Sequence, residues 1–139
     1  MLKPHDLNNQ HRNLPEANVI IIPSDPSDMT GHADGMVRFV NENTVVGNGT
    51  KYKLESDIKD ILKEHTIKIV DLPYVEQKKK DDPEGISAKG CNVNYLETSS
   101  YIFLPVSGYE KEDTETISIM AELFKDRKTI IPTIVDHIQ

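Results

Sequence analysis

Apolar residues alternate between short β-branched runs and one-sided helical stripes. Val19-Ile20-Ile21-Ile22, closed by Pro23, is apolar on both faces. It predicts a buried, central, parallel strand. Met36 to Val40 predicts a strand and Thr44-Val45-Val46 its partner, joined through an Asn41-Glu42-Asn43 turn. Gly47-Asn48-Gly49 ends the second strand. Ser56 or Asp57 then caps a helix whose apolar residues Ile58, Ile61 and Leu62 stand at i, i+3 and i+4. His65-Thr66 ends the helix, Ile67 to Val70 is the next strand, and Pro73 stops it.

The pattern then starts again. Val93-Asn94-Tyr95-Leu96 stands 56 positions after Val37-Arg38-Phe39-Val40. Glu97-Thr98-Ser99-Ser100 takes the place of the first turn, Tyr101 to Leu104 that of the second strand, and Pro105 and Gly108 close it. Asp113 or Thr114 caps a helix with the stripe Ile117, Met120, Ala121 and Phe124. Thr129-Ile130-Ile131-Pro132 supplies the last strand. A strand–strand–helix–strand order occurring twice, with a period of about 60 residues, marks a repeat architecture. Such a unit hardly covers its own sheet, so neighbouring units are expected to complete the core. The two units span 18–75 and 91–135. They are flanked by a polar, irregular lead-in over 1–17 and separated by an exposed, lysine-rich loop over 76–90.

Composition narrows the setting. At 139 residues the chain is one small domain at most, with 37% hydrophobic and 28% charged residues. A net charge of −7 argues against a nucleic-acid partner and is compatible with cationic ligands. The N-terminus lacks the apolar core of a signal peptide, and no apolar run is long enough to cross a membrane. A cytoplasmic location is therefore expected. One cysteine, Cys91, excludes an internal disulfide. It reads as a half-buried structural thiol.

Candidate chemistry concentrates in Thr30-Gly31-His32-Ala33-Asp34-Gly35-Met36-Val37-Arg38-Phe39-Val40. If His32 to Asp34 is extended, the histidine and the carboxylate point to one side. A proton carrier beside a carboxylate suits general acid–base work on a cationic substrate. Gly31 and Gly35 allow a tight turn or a close ligand approach. The plainer alternative is a turn histidine with a capping aspartate ahead of a strand. A zinc reading through His32, Asp34 and a remote histidine such as His137 lacks the usual ligand spacing.

The segment Gly31 to Phe39, followed by Asn43-Thr44-Val45, resembles the catalytic-histidine segment of the agmatine deiminase and Porphyromonas-type peptidylarginine deiminase family. Asn92-Val93-Asn94-Tyr95, Leu104-Pro105, Gly108 and Asp126-Arg127 before the last strand are similar to that family's next segment. The resemblance runs from about Asn18 to the C-terminus. It implies an α/β fold, a partial pentein-type α/β-propeller of about two modules within one partial deiminase domain, 1–139. It also implies a reaction without metal or organic cofactor. A cysteine thiolate attacks the guanidinium carbon, ammonia leaves, and water releases a ureido product such as citrulline or carbamoylputrescine. On the same resemblance His32 is the general acid and base. Asp34 holds the guanidinium, and Arg38 and Asn94 line or brace the substrate site.

Departures from the family pattern carry expectations of their own. Family enzymes are more than twice as long, and an earlier segment supplies a second acidic residue with no counterpart ahead of Asn18. The nucleophilic cysteine belongs to a Gly-Gly-rich segment after the last strand, whereas Cys91 sits in the wrong module. The chain is expected to be an internal or truncated piece, inactive alone, that takes agmatine, arginine or peptidyl-arginine. The alternative is a non-catalytic remnant that binds guanidinium compounds or a protein partner, including itself, through exposed module edges.

Overall fold

The computed structural model describes residues 18–24, 33–49, 53–75 and 91–134. The lead-in over 1–17, the segment 25–32 with Gly31 and His32, the loop over 76–90 and the last residues, His137 among them, lie outside the described residues.

A short 3-10 turn, Ala33–Gly35, leads into β1 (Val37–Asn41), β2 (Thr44–Gly49), α1 (Lys53–Glu64) and β3 (Lys68–Pro73). The order recurs as β4 (Leu96–Glu97), β5 (Tyr101–Val106), α2 (Glu110–Leu123) and β6 (Thr129–Ile134). The fold is mixed α/β, with two three-stranded sheets ordered β1-β2-β3 and β4-β5-β6. In each sheet the first two strands are antiparallel and the last two parallel. A tight turn can join only the antiparallel pair, and the parallel pair needs a crossover, which the helix supplies.

The repeat extends to single hydrogen bonds. The Asn43 N–H donates to Asn41 Oδ1 at 3.0 Å, and the Tyr101 N–H to Thr98 Oγ1 at 3.0 Å, so a side-chain oxygen shapes each hairpin turn. Each helix is followed by a left-handed residue, Thr66 at φ 58° and Asp126 at φ 63°. The next strand then docks through Lys68 N–H to Asn43 O at 2.8 Å and Thr129 N–H to Ser100 O at 2.9 Å.

Alternation sends neighbouring residues of β2 to opposite faces. Val45 meets Ile58 and Leu62 of α1, with Met36, Val37, Ile67, Ile69 and Ile22 around them. Val46 turns the other way, with Val40 and Leu72, into the larger core formed by Val93, Tyr95, Ile102, Leu104, Met120 and Phe124. Helix α2 thus lies between the sheets, against β3 and β6.

Several predicted boundaries move. Val19–Ile22 forms no strand, since no described segment pairs with it. Ile22 instead packs beside α1. Helix α1 begins at Lys53, ahead of both proposed caps. The parallel ladder to β3 carries β2 through Gly49. Strand β4 keeps only Leu96 and Glu97, because a turn closed by Asn94 N–H to Cys91 O occupies the expected first half. Val93 and Tyr95 are buried all the same. Strand β5 runs past Pro105 to Val106. Among the described residues its β4 side is unpaired beyond Phe103, where a residue without an N–H is tolerated. Asp113 lies inside α2 rather than at its cap. Its carboxylate accepts the N–H groups of Ser107 at 3.0 Å and Gly108 at 2.9 Å, fixing the loop that enters the helix. Gly108 sits there at φ 84°, a conformation that favours glycine. Ala121 faces solvent, and Thr116 takes its place in the core.

Candidate functional site

The Ala33–Gly35 turn stands just ahead of β1 and is closed by Met36 N–H to Ala33 O at 3.0 Å. Asp34 is therefore in a 3-10 turn and not in extended backbone, and its carboxylate is exposed. The expected i, i+2 alignment with His32 does not hold on the Asp34 side, and His32 lies outside the described residues. A Cβ at Gly35 meets no described protein atom within 4 Å. The tight position is Gly47, where a Cβ stands 2.9 Å from Ile69 Cδ1.

The turn is held from two sides. Asn48 Nδ2 donates to the Gly35 carbonyl at 2.8 Å, and Cys91 Sγ lies 3.5 Å from the same oxygen. Asn48 Oδ1 is 3.7 Å from Cys91 Sγ. Burial pushes the Cys91 thiol pKa up. Contacts with Asn48 and with the Val93 and Asn94 backbone partly offset this, and the nearby Asp34 charge raises it further. The protonated thiol is the favoured form, and a protonated thiol is a poor nucleophile.

Arg38 points from β1 toward the second sheet. Its guanidinium lies 3.9 Å from the centre of the Tyr95 ring and donates to the Tyr95 carbonyl. This is a cation–π contact with a hydrogen bond, and it ties the two halves together. Asn94 is exposed, next to Tyr95 and three residues after Cys91. The fold thus gathers Asp34, Gly35, Asn48 and Cys91 at one junction. Arg38 and Asn94 are attached to it through the 91–95 segment.

Asn48 was the residue missed from sequence. Its signal was parity: Thr44, Val46 and Asn48 share a face of β2, so a polar side chain stands at a core-facing position. Asn92 carries the same kind of signal. It is 2% exposed and donates to Pro73 O at 2.7 Å and Thr116 Oγ1 at 3.0 Å. Among the described residues no three His, Cys, Asp or Glu side chains converge as metal ligands. No described helix is long and apolar enough to cross a membrane.

The family model described as Porphyromonas-type peptidyl-arginine deiminase matches residues 10–138. The chain belongs to that family. A search of curated proteins gives no match for this deiminase-family chain. Solved structures resemble it at low identity. One is a cysteine-to-serine variant of the agmatine deiminase of C. jejuni with substrate bound. It has a TM-score of 0.71 and 16% identity, over 94% of this chain and 41% of that one. Another is the agmatine deiminase of Enterococcus faecalis, with a TM-score of 0.70 and 17% identity, over 96% of this chain and 44% of that one. The deiminase-family chain shares their fold and spans less than half of their length.

Proposed function

We propose that this chain carries the histidine–aspartate part of a guanidine deiminase site. The reading rests on one observation above the others: the family match runs through the His32–Asp34 segment and across both halves of the fold. In the proposed reaction a cysteine thiolate attacks the guanidinium carbon of agmatine, arginine or peptidyl-arginine. The carbon–nitrogen bond breaks, ammonia leaves, and water then releases the ureido product. His32 protonates the departing amine and afterwards activates the water. Asp34 accepts paired N–H bonds from the guanidinium, a geometry in which charge and direction reinforce each other. Its exposure at the turn supports that role. Arg38 and Asn94 brace the substrate side.

Cys91 is assigned no attack, because burial keeps its thiol protonated and its sulfur lies against Gly35 and Asn48. The two units, 18–75 and 91–135, are proposed as modules of a pentein-type propeller in a cytoplasmic protein. Neither nucleic acid nor membrane is proposed as a partner. The whole-enzyme activity is itself part of the proposal, given that the chain covers 41–44% of the two deiminase structures.

A second reading is a non-catalytic module that associates through apolar surface, and the exposure of Leu96, Tyr101 and Ile134 favours it. Calorimetry with agmatine and an ammonia-release assay separate the two. The first reading predicts agmatine binding that weakens on Asp34→Asn, with no ammonia from the chain alone. Ammonia release abolished by Cys91→Ser contradicts the assignment of Cys91. Concentration-dependent association without guanidinium binding favours the second reading.

A further inference from the structure

We propose that Asn48 is a positioning residue for Asp34, holding the Gly35 carbonyl and through it the turn that presents the carboxylate. The guanidinium part of this inference rests on the deiminase reading. Strand β1 stops pairing with β2 at Val37, opposite Gly47. The next residue of β2 is Asn48, and among the described residues no backbone ladder continues beside it into the turn. Its side chain takes over, with Nδ2 reaching Gly35 O at 2.8 Å. A carbonyl oxygen only accepts, so the amide nitrogen must face it. The amide oxygen is thereby turned toward the Cys91 thiol at 3.7 Å. On its other side Asn48 is fixed by the parallel ladder, where it stands against Leu72.

The turn itself is short, it is closed among the described residues by Met36 N–H to Ala33 O, and it contributes no buried residue to the core. A three-residue turn with no buried residue depends on its outside bonds for a fixed orientation. Asn48 supplies one from β2, and Cys91 a weaker one from the second half. A carboxylate that receives a guanidinium through two bonds needs its direction set beforehand, and a fixed turn lowers the ordering cost of binding.

The test uses the full chain and five variants. Amide hydrogen exchange is read by NMR, and agmatine affinity by calorimetry. Asn48→Ala is expected to speed exchange of the Met36 N–H about tenfold, the size of one lost hydrogen bond. Amides of β2, β3 and α2 keep their wild-type rates. Agmatine affinity falls about tenfold. Asn48→Asp preserves shape and removes the donor. Its added negative charge alone favours a cation, so weaker agmatine binding in this variant isolates the lost positioning. Cys91→Ala has a smaller effect on both readouts, and Cys91→Ser, which keeps a donor, restores them. Unchanged Met36 exchange in both Asn48 variants overturns the proposal. So does acceleration spread evenly over the whole fold. So does unaltered affinity in a protein whose binding Asp34→Asn weakens. If wild type and Asp34→Asn bind agmatine alike or not at all, the deiminase reading fails, and Met36 exchange still decides whether Asn48 holds the turn.

Discussion

The β1-β2-β3 and β4-β5-β6 sheets have the same strand order, the same mix of antiparallel and parallel pairing, and one helix each. Their surroundings differ. In the first sheet Val45 is sealed by α1 and Val46 by the second half of the chain, so both faces are buried. In the second sheet Ile102 and Leu104 are sealed by α2, whereas the opposite face is only partly covered, with Phe103 and Ile131 half-buried. Leu96 is 63% exposed and Tyr101 45%, on the same side as Phe103 and Ile131. A unit of this kind brings one helix and thus one cover. The second cover of the first sheet comes from its neighbour.

The largest test of this contrast places a lysine on each face. Val46→Lys buries an unpaired charge between the halves and is expected to cost more than about 3 kcal/mol, or to prevent folding. Leu96→Lys, on the partly covered face, is expected to change stability by less than about 0.5 kcal/mol. Urea denaturation followed by circular dichroism reads both. Under the second functional reading, Leu96→Lys also weakens any self-association measured by sedimentation. Comparable losses from the two substitutions contradict the contrast.

Next comes the clasp between the halves. Arg38→Met keeps the packed stem of the side chain but loses the Tyr95 ring contact and the bond to the Tyr95 carbonyl. A loss of about 1–3 kcal/mol is expected in the same urea experiment. Stability equal to wild type shows that the clasp does not join the halves.

Tyr95 offers a smaller change with the opposite sign. Its hydroxyl is buried with no hydrogen-bond partner among the described residues. Burial pushes its pKa up, with Arg38 pulling the other way and Glu97 adding to the rise. Tyr95→Phe removes an unsatisfied polar group and keeps the ring beneath Arg38. The midpoint of thermal unfolding is expected to rise slightly, by about 1 kcal/mol equivalent or less. A fall reveals a partner for the hydroxyl.

The smallest effect concerns Cys91. Alkylation requires the thiolate, and the thiol pKa is raised in the folded protein. Alkylation by iodoacetamide, followed by mass spectrometry, should reach its half-maximal rate at a higher pH than in the urea-unfolded chain. Linkage gives the same sign for stability. The contribution is fully present below the unfolded thiol pKa and is lost as pH rises through the folded one. An equal or lower midpoint in the folded chain contradicts the environment described for Cys91.

Much of this contrast could be read from the sequence, because alternation and helical spacing are local signals. Thr44, Val45 and Val46 declared the strand that pairs with Met36 to Val40. Ile58, Ile61 and Leu62 declared a one-sided helix, and the repeat of the pattern announced two sheets. Features set by contacts across the chain were not legible. Val93 and Tyr95 have a strand-like spacing, yet their burial comes from packing between the halves while the backbone turns. Asp113 was recognised as a group belonging near a helix N-terminus. Its bonds to Ser107 and Gly108 depend on the path of the preceding loop. The condition of an extended His32–Asp34 segment is not met at Asp34, which lies in a 3-10 turn. The turn is set by bonds reaching in from Asn48 and Cys91, which lie distant in sequence.

The central claim is that the turn carrying Asp34 receives a guanidinium group. Titration of agmatine into the full chain and into Asp34→Asn, followed by calorimetry, tests it most directly. The account predicts saturable binding by the wild type and affinity at least about tenfold weaker in the variant, the loss of a charge-assisted pair. Equal binding by both proteins, or none by either, contradicts it.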